Sequence, residues 1–135
     1  MENKRAHLAM IQSVVNRLAQ NSFLLKGWSV VLVSALFALA ANSSNRFFIY
    51  LAYFPAIAFW VLDGYFLWQE RLFRALYDEV RVLNENDIEF SMDTSKLKAV
   101  NKSWSDATFS NTLKIFHGAI IGSIILVMVI SIFLG

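Results

Sequence analysis

A chain of 135 residues with 57% hydrophobic side chains and a mean hydropathy of +0.50 is too short for two ordinary domains and too apolar for a water-soluble one. Its net charge is only +2 and its basic residues are interspersed with acids, which argues against nucleic acid as a partner and favours anionic lipid headgroups. The absence of cysteine excludes disulfides, thiolate catalysis and Cys-ligated zinc, and His7 and His117 are too far apart in sequence for a metal motif, so no metal or cofactor is expected.

Residues 3–20 place Leu8, Ile11, Val15 and Leu18 on one helical face, with Lys4, Arg5, Gln12, Asn16 and Arg17 mainly elsewhere. This amphipathic helix suits either the headgroup plane or the water-side end of a helix bundle. Asn21 and Ser22 are capping residue types that divide it from the next helix, unless the two run on as one. Residues 23–41 form the first expected span, with Lys26 near its start, Trp28 at interfacial depth, and small Ser34, Ala35 and Ala38 for close packing. A basic start followed by an apolar run also imitates a signal peptide, but the region before that run is too long for one. The polar turn Asn42–Arg46 makes the first two spans a tight hairpin.

The second span, 47–68, continues without a breaker after Pro55 as a water-exposed helix to residue 83. Leu72, Phe73, Leu76, Val80 and Leu83 recur there at the helical period, opposite Glu70, Arg71, Arg74, Asp78, Glu79 and Arg81. Glu70, Arg74 and Asp78 have the spacing of helix-stabilising ion pairs, so this charged side is either a solvated face or, through Arg71, Arg74, Asp78 and Arg81, a face for a cytosolic protein partner. Pro55 predicts a kink.

Residues 84–113 carry no helical stripe. Ile88, Phe90 and Met92 alternate with acids and Ser91, which predicts a short extended or β segment. Such a strand pairs with a copy of itself or packs on the amphipathic rod. Residues 114–134 are the third span. Eleven of the twelve Lys and Arg residues lie before Gly27 or between Gln69 and Lys114, leaving Arg46 alone on the far side. The N-terminus is therefore expected in the cytosol and the C-terminus outside.

Asp63 is the sharpest single residue, an acid about a turn and a half inside the second span. Lys26 and His117 enter their spans at comparable depth, so the three form an expected intramembrane polar cluster, either an ion or proton site or a structural lock. Gly118 and Gly122 form GxxxG, with Ser123 beside them, and mark a helix-packing face. Three spans bury little between themselves, which favours a homo-oligomer. No nucleophile–base pair, phosphate loop or paired carboxylates are present, so an enzyme is not expected.

The stretches MIQSVVNRLAQNSFLLKGW, FWVLDGYFLWQERLFRALYDEV and FSMDTSKLK together resemble a family of small bacterial multi-span membrane proteins linked to anti-phage genes. The resemblance implies an inner-membrane effector that acts on the bilayer when a partner signals infection. The expected architecture is an all-α integral membrane protein: an amphipathic N-terminal helix, three transmembrane helices with the second extended into the cytosol, and a short extended segment. The expected role is a pore-like oligomer under a cytosolic partner's control, with a non-conducting anchor or scaffold as the alternative.

Overall fold

The structure, a computed structural model, describes residues 2–95 and 103–134. Its elements are α1 (Glu2–Ser43), α2 (Phe47–Leu51), α3 (Tyr53–Arg81), a 3₁₀ turn (Glu85–Asp87), α4 (Trp104–Thr108) and α5 (Asn111–Leu134). Three stretches are long and apolar enough to cross a membrane: α1, the run Phe47–Arg81, and α5. Within the chain only 11% of the apolar windows of α1 and α5 and 28% of that of the middle run is buried. The remaining apolar faces, with Phe54 and Phe133 among the most exposed residues, suit lipid and would be an aggregation hazard in water.

α1 is one uninterrupted helix of 42 residues, ~63 Å long at the α-helical rise and about twice the thickness of a bilayer's hydrocarbon core. The expected division between residues 3–20 and 23–41 is absent. A Ser caps a helix only where its hydroxyl can turn to first-turn N–H groups, and that of Ser22 instead donates to Asp63 on α3. The N-terminal half of α1 runs antiparallel against the far half of α3. There Ile11, Val15, Leu76 and Val80 form a buried core flanked by Leu8, Phe73, Tyr77, Leu83, Ile88 and Met92. The apolar stripe of α3 is thus covered by its own chain, and the two helices make a stalk continuous with two of the apolar stretches.

The α1–α2 turn is closed by Ser44 in the left-handed region (φ 54°) and by Asn45, whose side-chain oxygen accepts from the Phe47 N–H at 3.0 Å. The rod expected from 47 to 83 is interrupted at Ala52, between α2 and α3. Pro55 has no N–H to give the Leu51 carbonyl, so the ladder loosens one turn before it. From Tyr53 to Arg81 the helix is unbroken, including the stretch from Trp68 to Leu72 where greasy residues give way to charged ones. A second apolar core, Val33, Ala40, Ile49, Ala52, Ala56 and Ile124, joins the three apolar stretches toward the α1–α2 turn.

Beyond Arg81 the chain folds back over the stalk tip. The carboxylate of Glu85 accepts from the backbone N–H groups of Asn3 (2.8 Å) and Lys4 (3.1 Å), so a residue 82 positions away caps the start of α1. Of the alternatives expected at 88–92, the β form is not seen, since no strand occurs among the described residues, and the segment packs on the amphipathic rod instead. Phe90 takes φ 56°, a left-handed conformation that breaks an extended run. Ile88 and Met92 turn onto the stalk core, Phe90 sits 5.6 Å from the His7 ring, and the buried His7 donates through Nε2 to the Ser91 carbonyl at 2.8 Å. Part of the expected 84–113 segment lies outside the described residues. α4 then begins with a capping box between Ser103 and Asp106 and leads into α5.

Candidate functional site

Asp63 of α3 is fully buried where the stalk meets the apolar core, and two side chains from α1 and one from α5 converge on its carboxylate. From α1, Lys26 Nζ lies 2.6 Å from Oδ2; from α5, His117 Nε2 lies 2.8 Å from the same oxygen. Ser22, one turn before Lys26, donates its hydroxyl to Oδ1 and accepts from Lys26 Nζ at 2.9 Å. Ser22 and Lys26 are four residues apart, so they present one face of α1 to the acid. Both carboxylate oxygens are therefore satisfied by three donors. This is the condition under which an ionised acid survives burial.

The His117 imidazole is flanked by aromatic rings, while its buried Nδ1 has no hydrogen-bond partner among the described residues. Trp60 stacks on it at 5.9 Å and 10°, and Phe116 meets it edge-on at 5.0 Å. Trp60 Nε1 in turn donates to the Thr108 carbonyl at 2.7 Å, which ties the stack to α4. Trp104 Nε1 donates to the Val61 carbonyl at 3.1 Å, and its ring stacks on Trp68 at 6.2 Å. α4 comes this close because residue 64 is Gly. A Cβ built there would lie 2.1 Å from Thr108 Oγ1 and 2.9 Å from Thr108 Cα. The aromatic rings of Tyr65, Trp68 and Trp104 thus gather beside the charged cluster, the composition of a membrane–water boundary.

A hydrolytic triad needs the imidazole between hydroxyl and carboxylate; here Asp63 stands between Ser22 and His117. No group of three His, Asp or Glu residues among those described is placed to hold a metal ion. Lys26 retains 19% exposure of its side chain and passes 5.9 Å over the Phe116 ring, so the cation reaches the acid from the rim of the bundle.

The structure brings Asp63, Lys26 and His117 together and leaves the other sequence-selected residues apart from them. Gly118 and Gly122 have open space where a side chain would be, and Ser123 donates to the Ala119 carbonyl of its own helix at 2.8 Å. On the stalk, Arg74 pairs with Glu70 at 3.3 Å and Arg81 with Asp78 at 3.6 Å, while Arg71 is half-buried on the same helix. Sequence reasoning missed Ser22, Trp60, Gly64 and Thr108. The available signal was the spacing of Ser22 and Lys26, which puts a hydroxyl and an ammonium on one face. No protein-family model, curated protein or solved structure matches this chain.

Proposed function

We propose that the chain is a subunit of a homo-oligomeric assembly in the bacterial inner membrane, working as a pore-like membrane effector whose state is set by a cytosolic partner. The observation that carries this reading is where the unused surface lies. The apolar stripe of the stalk is already covered by α1, whereas on α5 a side chain at Gly118 or Gly122 would meet open space, and Ala119 and Ser123 line an open groove with Val30, Ser34 and Phe37 of α1. Close backbone approach between helices in lipid needs such small residues. In this reading the stalk, with the N-terminus, lies in the cytosol and the C-terminus lies outside, following the placement of Lys and Arg. The Asp63 cluster keeps the three helices in register while copies assemble, and an infection-type signal reaching the stalk changes their arrangement.

The test is dye release from liposomes holding the purified protein, alongside its mass in detergent. Wild type is expected to run as a multimer and to leak when activated; Gly122→Ile is expected to lower the mass and abolish the leak. A monomer that never leaks, with a partner present, overturns the pore reading.

One observation favours a second reading, a non-conducting anchor or scaffold. Ser29, Asp63 and His117, the buried polar residues of the spans, all lie inside the bundle. A multimer that binds a soluble protein while its liposomes stay sealed is the expected behaviour of a scaffold.

A further inference from the structure

At the end of the molecule opposite the stalk, the α1–α2 turn and the last turn of α5 enclose a cleft of about 400 Å³. Its lining combines polar Ser44, Asn45, Arg46 and Ser131 with apolar Ile49, Ile130 and Leu134 and two alanines of α1. Arg46 is the single Lys or Arg outside the stalk side of the chain. It is exposed, and its guanidinium makes no hydrogen bond or ion pair among the described residues; nor do the hydroxyls of Ser44 and Ser131. A cation with five donors and two hydroxyls thus borders one cleft whose lining, among the described residues, includes no carboxylate to satisfy them. The complementary ligand is an anion rich in acceptors, and the apolar residues of the same cleft call for a hydrocarbon continuation.

We infer that this cleft is a phospholipid-phosphate site in the outer leaflet, with Arg46 forking the phosphodiester oxygens, Ser44 and Ser131 donating beside it, and the acyl chains running along Ile49 and Ile130. The site rests on the reading that the three long helices span a bilayer, because only then does the α1–α2 turn lie at headgroup depth. The shared chemistry is the phosphate group. Its attachment to hydrocarbon distinguishes a lipid from a free anion.

The experiment is native mass spectrometry of the full chain in mild detergent, titrated with phosphatidylglycerol, with diacylglycerol, or with phosphatidylglycerol in the presence of millimolar inorganic phosphate. Wild type is expected to retain phosphatidylglycerol but not diacylglycerol. Arg46→Gln is expected to hold it roughly tenfold less well, as befits the loss of a charge-assisted hydrogen-bond pair. Arg46→Lys should fall between them, and Arg71→Gln, on the stalk side, should match wild type. Displacement by inorganic phosphate supports the phosphate chemistry but assigns the site to a free anion. Equal retention by wild type and Arg46→Gln, or equal retention of diacylglycerol, overturns the site. A parallel carbonate wash separates the two failures: release of wild type from membranes overturns the spanning reading and the site with it, whereas wild type that resists the wash yet binds lipid without help from Arg46 overturns the site alone.

Discussion

Asp63 illustrates how one residue decides the arrangement of three helices. A lone buried carboxylate is costly, and here the cost is offset by donors from α1 and α5, so each helix has one rotation and one axial position at which the acid is satisfied. Removing one member of a buried pair typically costs about 3–5 kcal/mol, and the partial exposure of Lys26 places its case toward the lower end. Asp63→Leu is therefore expected to lose about 3 kcal/mol in denaturant unfolding in micelles, and Lys26→Met added to it should recover part of that loss. A double variant no more stable than the single one would refute the coupling. Gly64 is the second decisive position. Gly64→Val places carbon inside Thr108 and is expected to cost about 1–3 kcal/mol by overpacking. Because the clash includes Thr108 Cα, Thr108→Ala should not rescue it. Separation of Trp104 from Trp68 should be visible in tryptophan emission.

The elements differ in how far the sequence discloses them. Long apolar runs announce the three helices that are long and apolar enough to cross a membrane, because hydropathy over about twenty residues leaves few alternatives, and the positions of Asp63, Lys26 and His117 could be counted from the ends of those runs. The continuity of α1 could not be read, since Asn21-Ser22 is equally at home at a helix start or inside a helix whose serine has a distant acceptor. Likewise Ile88, Phe90 and Met92 alternate like a strand, but five residues of period two carry little weight against a nearby apolar stripe needing cover. Tertiary packing took Ile88 and Met92 and left Phe90 in a left-handed turn. Stability of the stalk then rests on its own small core. Leu76 is 6% exposed, and Leu76→Ala is expected to cost about 2–5 kcal/mol. That loss should be local: trypsin should cut faster at Arg74 and Arg81, while the apolar helices stay protected. Uniform digestion throughout the chain would show instead that stalk and spans unfold as one unit.

At the scale of the whole molecule, charge and shape give the same polarity. The antiparallel stalk carries Lys4, Arg5, Arg17, Arg71, Arg74 and Arg81 on one end, and Arg46 stands alone at the other. In the reading that the three long apolar stretches span a bilayer, the first half of α1 and the end of α3 share a compartment, and the α1–α2 turn faces the opposite one. The chain has no cysteine, so single substitutions report without background. Gln12→Cys and Arg74→Cys, both on exposed positions of the stalk, are expected to react with a membrane-impermeant maleimide only after the cells are opened, whereas Ser44→Cys should react in intact spheroplasts. Because the residues that face each other across the stalk are fixed by the buried Ile11–Val80 core, any result that labels Gln12 and Arg74 from different sides breaks the antiparallel pairing itself. Both functional readings need that pairing, since a signal arriving at the stalk reaches the membrane only along helices that pass through both.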